Sequence, residues 1–348
     1  MTNILEKKNI ILGISGGIAA YKSVELLRLL IKQGADVRVL MTRNACRFVG
    51  PLTFEALSGK AVCTHLFQEG QNASIGHIEW AKDAAAVIIA PATANIIGKM
   101  AGGIADDAIT TFLLAVTAPI LICPSMNTDM YQSPAVQRNL SVLEKDGHFI
   151  LSPDSGALAC GVTGPGRLPD PEEILDRLIS VMCPQDLSGK QVLVTAGPTQ
   201  EPMDPVRFLS NPSSGKMGYA VARAAQQRGA LVTLISGPTS LQDPTGIKVI
   251  RIQTAAQMAS AVFEHFEEMD IIVKSAAVSD YRPEKATTEK MKKEKNEMVL
   301  NLVRNQDILA EAGQRKGDRF LVGFAAETEA LDQNATKKLH KKNLDMIV

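Results

Sequence analysis

The sequence contains few of the residues that characterise several classes of protein. Only 4% of its 348 residues are aromatic, and its five cysteines form no C-x-x-C pair, which argues against a zinc site and against a disulfide framework. The 37 basic and 37 acidic residues cancel, so no net field attracts nucleic acid or anionic lipid. No apolar run reaches the ~18 residues that span a bilayer, and the N-terminus has no signal core. We therefore expect a cytoplasmic protein that binds neither nucleic acid nor membranes.

Strand-like and helix-like segments alternate along the chain, which is typical of α/β proteins with parallel sheets. Residues 9–15 fit a buried strand, residues 19–33 have helical periodicity, and residues 36–42 return as a strand. The pattern restarts at residues 191–196, and GADVRVLMT in the first half is echoed by GALVTLISG in the second. The sequence therefore predicts two tandem Rossmann-like domains with mainly parallel sheets, residues 1–186 and 187–348.

A glycine-containing loop, residues 13–22, joins the first strand to the first helix. Glycines at such a position let backbone N–H groups approach a phosphate, and the helix dipole favours the anion. In dinucleotide-binding folds a carboxylate closes the second strand and holds the ribose, but here that strand ends in Met41 and Thr42. The loop therefore favours a mononucleotide and makes an NAD-dependent oxidoreductase the weaker alternative.

Three side chains of the first half are candidates for chemistry, although none is decisive alone. His77 lies before the third predicted strand, where a lone histidine is more often a surface or capping residue. Asn127 directly follows a strand, where its amide can bind a carboxylate. Cys160 lies in a glycine-rich segment without helix or strand periodicity, and an exposed, mobile cysteine is a candidate acid or nucleophile.

Five segments of the first half together resemble a known family: ISGGIAAYK, GHIEWAKDA, APATANIIGKMAGGIADD, PSMNTDMY and ACGVTGPGRLPDP. Residues 9–170 are similar to the flavodoxin-like, flavin-containing cysteine decarboxylases, in particular to the phosphopantothenoylcysteine decarboxylase half of the bifunctional coenzyme A biosynthesis proteins. The resemblance implies that His77 assists an initial oxidation, that Asn127 grips the substrate carboxylate, and that Cys160 on a lid donates a proton. It implies that FMN binds at Ser15, Gly16, Gly17, Thr42, Thr93, Ala94 and Asn95.

The implied chemistry suits a cysteine-derived carboxylate, which has no electron sink until its thiol side is oxidised. Oxidation by a flavin to a thioaldehyde provides the sink, and an acid must supply a proton when the product is later reduced. An ordinary thiol has a pKa of about 8.5 and is mostly protonated at neutral pH. A cysteine such as Cys160 can therefore be that acid.

The second half contains a long loop between the strand at 191–196 and the next predicted helix, and its length indicates a functional loop. Residues 213–216 resemble the end of the P-loop motif G-x-x-x-x-G-K-[ST]. Ser210 stands in place of its first glycine and Met217 in place of its Ser/Thr, which argues against a P-loop phosphate site. The segments SNPSSGKMG, SAAVSDYR, NQDIL, GFAAET and KKLHKKN resemble the phosphopantothenate–cysteine ligase half of the same family, which uses CTP.

The ligase resemblance implies that the phosphopantothenate carboxylate attacks CTP to give an acyl-cytidylate, from which the cysteine amine displaces CMP. It implies that Asn211 acts on this intermediate with Arg207 beside it, and that Mg²⁺ accompanies the CTP phosphates, with Asp280 as a candidate neighbour. The implied CTP site comprises Lys274, Ser275, Ala276, Asp280, Lys290, Gln306, Asp307, Ile308, Leu309, Phe324, Lys338 and Lys342.

The resemblance also implies a homo-oligomer, with trimers through the flavin domain and dimers through the ligase domain, together a dodecamer. The last residues, LDMIV, read as the start of a strand, and the family continues past them, so we expect an incomplete ligase domain. If that domain is inactive, the chain is a decarboxylase alone. A further alternative is a flavin-binding relative that only inhibits phosphatases, although the presence of both His77 and Cys160 argues against it.

Overall fold

The chain divides into two compact units, Met1–Cys183 and Pro184–Val348. Each has its own parallel sheet and its own apolar core. Among the residues that the structure describes, no helix combines the length and the apolar character needed to cross a bilayer. The computed structural model describes residues 4–65, 79–158, 161–290, 298–325 and 331–348.

The first unit is built on a five-stranded parallel sheet with the strand order β2-β1-β3-β4-β5. This is the flavodoxin-like order, so the predicted fold class is confirmed. An antiparallel hairpin of two further strands, β6 and β7, follows the sheet. The strands are β1 (Asn9–Ile14), β2 (Asp36–Met41), β3 (Ala86–Ala92), β4 (Ile120–Pro124), β5 (Phe149–Ile150), β6 (Asp154–Ala157) and β7 (Thr163–Arg167).

Helices cover both faces of this sheet, because the central strands carry apolar side chains to both sides. Leu12 packs with Leu26 of the first helix on one face, and Ile89 packs with Phe112 on the other. Gly34 ends the first helical segment, with a φ of 76° that few other residues adopt. The helices are α1 (Lys22–Lys32), α2 (Pro51–Ser58), α3 (Ala94–Ala101), α4 (Ala108–Ala115), α5 (Thr128–Gln132), α6 (Pro134–Lys145) and α7 (Pro171–Met182), with 3-10 turns at Ile18–Tyr21 and Ala45–Arg47.

The second unit is built on a six-stranded parallel sheet with the strand order β12-β11-β8-β13-β16-β17. The strand predicted for LDMIV is confirmed, since Met346 pairs in parallel with Val322. Two small antiparallel ladders, β9 with β10 and β14 with β15, lie outside the sheet. The strands are β8 (Gln191–Ala196), β9 (Gln200–Pro202), β10 (Phe208–Ser210), β11 (Leu231–Ser236), β12 (Lys248–Arg251), β13 (Ile271–Lys274), β14 (Tyr281–Pro283), β15 (Leu302–Arg304), β16 (Phe320–Gly323) and β17 (Met346–Ile347).

The helices of the second unit also pack on both faces of their sheet. One buries Tyr219 and Ala222 against Val194, and another buries Met258 against Leu193 on the opposite face. The helices are α8 (Lys216–Gln227), α9 (Ala255–His265), α10 (Ile308–Arg315) and α11 (Leu331–Lys341), with a 3-10 turn at Phe266–Glu268.

The strand order of each sheet reverses next to its first strand, between β1 and β3 in the first unit and between β8 and β13 in the second. In open α/β sheets, ligands bind at such switch points, beyond the carboxyl ends of the strands. The topology therefore predicts one binding region in each unit.

Candidate active sites

A cavity of about 910 Å³ lies at the carboxyl edge of the first sheet. Its volume falls within the range of small-molecule sites. The walls come from the loops after β1, β2, β3 and β4 and from the hairpin of β6 and β7. All seven residues that the resemblance implies for FMN line this cavity, together with Asn127.

The Ser15 side chain joins two loops of the cavity wall. Its hydroxyl donates to the Pro91 carbonyl (2.7 Å) and accepts from the Thr93 N–H (2.9 Å), and only 1% of the residue is exposed. A hydroxyl that already donates its single proton cannot also donate to a phosphate. Ser15 therefore shapes the loop, and donors to a phosphate must come from other groups, such as backbone N–H.

Gly16 lets the loops after β1 and β2 come into contact. A Cβ at this position would clash with the Cβ of Asn44 and would lie 2.8 Å from its carbonyl carbon. Asn44 lines the cavity and belongs to the same loop as Thr42. Any larger residue at position 16 must displace this wall, so the loop forms a cradle of the kind that phosphate groups occupy.

Basic side chains outnumber acidic ones in the cavity wall. Lys99 Nζ donates to Asp106 Oδ1 (2.6 Å) and lies 3.0 Å from Asp107 Oδ2. The hydrogen bond with Asp106, and then the contact with Asp107, raise the pKa of the Lys99 ammonium group. Burial opposes the charge of Asp107, but hydrogen bonds from Thr110 and Lys99 keep the pKa of its carboxyl below the usual value. Asp170, which pairs with Lys22 at 2.9 Å, and Asp106 offset part of this charge, and the remaining positive charge of the wall suits an anionic ligand. The charged lining residues, none of them predicted, are Lys22, Arg43, Lys99, Arg167 and Asp107.

Asn127 is held at the cavity by the start of a short helix. It caps α5, where its Oδ1 accepts a hydrogen bond from the Asp129 N–H at 2.8 Å. The hairpin packs on the same loop, because the Met126 N–H donates to the Gly166 carbonyl at 3.0 Å. A Cβ on Gly166 would overlap the Met126 carbonyl oxygen, so only glycine permits this contact.

Two predicted residues of the first unit, His77 and Cys160, lie outside the residues that the structure describes. By sequence, Cys160 falls between β6 and β7, the two strands of the hairpin that contributes to the cavity wall. The roles given to both side chains stay predictions.

In the second unit, the loops after β8 and β13 are joined at the switch point. The Ala277 N–H donates to the Gly197 carbonyl at 2.9 Å. Two residues of the implied CTP site form hydrogen bonds with Thr195. The Ser275 hydroxyl donates to the Thr195 carbonyl (2.8 Å), and the Ala276 N–H donates to the Thr195 hydroxyl (3.2 Å). These bonds fix the backbone of the implied site but use the Ser275 hydroxyl proton.

The long loop after β8 returns to this point to begin α8. Gly215 is the residue before the helix and has a φ of 74°. A Cβ added at this position would lie 2.7 Å from the methyl group of Thr239, so only glycine leaves room for that side chain. Gly218, in the first turn, is packed as closely on Ser275, which lies 2.7 Å from its added Cβ. The loop can therefore bring the positive end of a helix dipole to the switch point.

Four residues of the implied CTP site interact electrostatically. Lys342 Nζ lies 2.8 Å from Asp307 Oδ2, and Asp307 also caps α10 by accepting from the Ala310 N–H. Burial, and then the charge of Lys342, lower the pKa of Lys274 to about 8, while Asp307 and Asp280 act in the opposite direction. This cluster is the most concentrated charge of the implied nucleotide site.

The other residues implied for the CTP site have differing environments, and some of their side chains are buried in the core. The side chains of Ile308 and Leu309 belong to the apolar core, so only their backbone can contact a ligand. Phe324 packs partly buried against the core on the other face of the sheet, and Gln306 donates to Glu311. Lys290 is exposed and Lys338 is half-buried in α11. Within the described ranges, no group of three or more His, Cys, Asp or Glu residues is arranged to hold a metal ion.

Of the two catalytic residues implied for the ligase, Arg207 lies in the turn between β9 and β10, and Asn211 directly follows β10. Arg207 Nη2 donates to Asp204 Oδ2 at 2.7 Å, and Asn211 Nδ2 donates to the Val278 carbonyl at 3.2 Å. Val278 belongs to the loop after β13, so Asn211 is tied to the loop that carries Ser275 and Ala276. Asp204 was not singled out in the sequence, where only its proximity to Arg207 could have drawn attention to it.

Two family models together match nearly the whole chain. Residues 2–182 match the Flavoprotein family, and residues 187–348 match the C-terminal domain of DNA/pantothenate metabolism flavoproteins. Among solved structures, the C-terminal domain of a CoaBC protein is 46% identical, covering 47% of this chain and 77% of that one, with a TM-score of 0.42. A mutant PPC decarboxylase in complex with pantothenoylaminoethenethiol is 29% identical, covering 50% of this chain and 97% of that one, with a TM-score of 0.44.

Full-length relatives are more similar. The coenzyme A biosynthesis bifunctional protein CoaBC of Bacillus subtilis is 51% identical over 349 residues, which is 99% of this chain and 86% of the relative. The protein of the same name from Escherichia coli K12 is 47% identical over 348 residues, again 99% and 86%. The chain therefore belongs to the family of coenzyme A biosynthesis bifunctional proteins.

Proposed function

We propose that this chain catalyses two steps of coenzyme A biosynthesis. Residues 187–348 join cysteine to 4′-phosphopantothenate with CTP, and residues 1–186 decarboxylate the resulting 4′-phosphopantothenoylcysteine to 4′-phosphopantetheine. The observation that carries the proposal is the cavity of the first unit, where the seven residues proposed for FMN and the proposed carboxylate-binding Asn127 line one space. Membership of the family supports the pairing of decarboxylase with ligase.

The first unit suits a bound FMN. The Gly16 cradle and the cationic wall fit the phosphate, and apolar side chains such as Ile18 and Met130 line the same cavity and suit the flat ring. When bound, FMN supplies the oxidation of the thiol side that makes loss of CO₂ feasible. Asn127 would orient the substrate carboxylate, and Cys160 would deliver a proton to the product carbon.

The second unit suits an acyl transfer through a nucleotide. The carboxylate oxygen of 4′-phosphopantothenate would attack the α-phosphorus of CTP, and the bond to pyrophosphate would break. The cysteine amine would then attack the acyl carbon, release CMP and lose a proton. Lys274 and Lys342 would offset the charge where two anions meet, and the Asn211 amide would hold the developing oxyanion.

Two further features belong to the proposal. Mg²⁺ would enter with the CTP phosphates, near Asp280, because proteins usually bind this ion through substrate phosphates and one or two carboxylates, with water as the remaining ligands. The assembly would be a homo-oligomer, trimeric through the first unit and dodecameric overall, which a mass measurement in solution tests directly.

The purified chain tests the two activities separately. We expect a yellow protein with the visible absorption of an oxidised flavin, which releases CO₂ from 4′-phosphopantothenoylcysteine. We also expect amide formation from 4′-phosphopantothenate and cysteine with CTP and Mg²⁺. A yellow protein without CO₂ release would instead support a purely regulatory flavoprotein, and CO₂ release without amide formation would support a decarboxylase alone.

A further inference from the structure

Asp204 is a buried carboxylate in the turn of the β9–β10 hairpin, with a side chain that is 0% exposed. Its Oδ1 accepts from the backbone N–H groups of Val206 and Arg207, both at 2.8 Å. Its Oδ2 accepts from Arg207 Nε at 2.9 Å and from Nη2 at 2.7 Å. A buried carboxylate is tolerated when donors of this kind surround it.

The two oxygens of Asp204 have different roles. Oδ1 stabilises the turn by accepting from consecutive backbone groups, whereas Oδ2 receives two N–H groups from one edge of the Arg207 guanidinium. Two donors from a planar group fix both its position and its plane. The Arg207 side chain nevertheless remains 36% exposed, so it is oriented without being buried.

The hairpin itself is hydrogen-bonded to the start of α9 and to the loop after β8. Glu201 Oε1 accepts from the Ala255 N–H at the start of α9 (2.9 Å), and the Ser210 hydroxyl donates to the Thr199 carbonyl (2.8 Å). Asn211, which follows the hairpin, is tied to the loop after β13. The backbone of Arg207 is therefore placed rigidly, and the remaining freedom lies in its long side chain, which has several rotatable bonds.

We propose that Asp204 is a positioning residue for the ligase reaction, which acts by holding the Arg207 guanidinium in one orientation before substrate binds. The inference rests on the proposed ligase function, in which Arg207 lies beside the acyl intermediate of the second unit. Asp204 touches no substrate. It lowers the conformational cost of the anion contact that Arg207 makes, because the guanidinium is already ordered.

The substitution Asp204→Asn separates the two roles of the carboxylate. Asparagine keeps an Oδ1 that accepts from the backbone of the turn, but an NH₂ group replaces Oδ2 and faces the N–H donors of Arg207. The turn persists, and the guanidinium loses its two hydrogen bonds to the Asp204 carboxylate. We expect kcat/KM for 4′-phosphopantothenate to fall at least about ten-fold, in line with the cost of small misplacements at a reacting centre.

Two further variants make the effect specific. Asp186→Asn removes an exposed carboxylate that pairs in a similar way with Arg228, whose Nε lies 2.8 Å from Asp186 Oδ1, and it should leave ligase kinetics unchanged. Arg207→Gln should lower kcat/KM by itself. If Asp204 acts through Arg207, Asp204→Asn should have no further effect in the Arg207→Gln chain, since effects of coupled residues do not add.

The experiment measures ligase kcat and KM for all three substrates, with thermal unfolding, in the unaltered chain and each variant. An Asp204→Asn chain with unaltered kinetics, or one whose loss adds fully to that of Arg207→Gln, would overturn the inference. If Asp204→Asn does not fold, Asp204→Glu serves in its place, because it keeps the charge and shifts the acceptor by one methylene. Kinetics equal to those of the unaltered chain in that variant would also overturn the inference. An unaltered chain without any ligase activity would overturn the ligase proposal itself, and the inference with it.

Discussion

Lys342 Nζ lies 2.8 Å from Oδ2 of Asp307, the residue that caps α10. The pair lies close enough to Lys274 to influence its titration: burial first, and then the charge of Lys342, lower the pKa of Lys274 to about 8, against the opposing effects of Asp307 and Asp280. An anion that binds here would favour the charged form of Lys274.

This arrangement predicts that the affinity for CTP falls as the pH rises through about 8. Below that pH Lys274 is already protonated, whereas above it triphosphate binding must take up a proton, and linkage then weakens the apparent affinity. Calorimetric titration with CTP in two buffers of different ionisation enthalpy measures the uptake. Lys274→Met should abolish it. A pH-independent affinity in the unaltered chain, without proton uptake, would count against the prediction.

Replacement of Gly16 should disturb flavin binding. An alanine Cβ at position 16 would clash with Asn44, so the loops after β1 and β2 must separate, and we expect FMN affinity to fall by at least about ten-fold, or roughly 1.4 kcal/mol. Quenching of FMN fluorescence during titration of the flavin-free chain measures the affinity. Gly50→Ala is the matched control, because nothing lies within 4 Å of its added Cβ. Equal affinity in both variants would refute the expectation.

Asn127→Asp should impair decarboxylation while it preserves the flavin. Aspartate keeps an oxygen to accept from the Asp129 N–H, now 2.8 Å from Asn127 Oδ1, so the start of α5 is retained. Its negative charge would repel the substrate carboxylate, and we expect kcat/KM to fall by about 10² or more. The flavin absorption spectrum is the internal control, because loss of the flavin would appear as a colourless protein. Decarboxylation at the rate of the unaltered chain would contradict the role of Asn127.

Cys160→Ser should separate release of CO₂ from formation of the final product. A serine hydroxyl is a far weaker acid than a thiol, so the variant should release CO₂ and accumulate the oxidised, decarboxylated intermediate. Mass spectrometry of the reaction mixture distinguishes it from 4′-phosphopantetheine by two hydrogens. Normal yields of 4′-phosphopantetheine would remove Cys160 from the mechanism.

Asn211→Asp should let the acyl-cytidylate accumulate. The Asn211 amide donates to the Val278 carbonyl at 3.2 Å, and a carboxylate cannot make this bond or stabilise an oxyanion. Loss of one such donor typically costs about 10²–10³ in kcat, so a decrease of that order is expected for amide formation. Rapid quenching with labelled CTP detects the intermediate. Unchanged steady-state amide formation would exclude Asn211 from this step.

The sequence by itself determined the class of fold, because apolar strands and amphipathic helices alternate with periods that local sequence reveals. The end of the first helix at Gly34 and the strand at the end of the chain were both predicted from such local patterns. The motif PSMN directly follows a strand-like segment and made Asn127 a candidate, whereas Asn211 was implied only by the resemblance of SNPSSGKMG to the ligase family; the roles of both stay predictions.

Only the tertiary structure decided how the sites are built. Ser15 was predicted within the flavin loop, yet its hydroxyl proton is donated to Pro91, which is far away in sequence. The cationic wall with Lys99 and the burial of Ile308 and Leu309 likewise depend on contacts between distant segments. A local pattern fixes which face of a strand or helix is apolar, but hydrogen-bond partners and charges are set by chain segments that meet only after folding. Asp204 illustrates the difference: in sequence it is one acid near an arginine, and in the folded chain its buried Oδ2 accepts two hydrogen bonds from the Arg207 guanidinium.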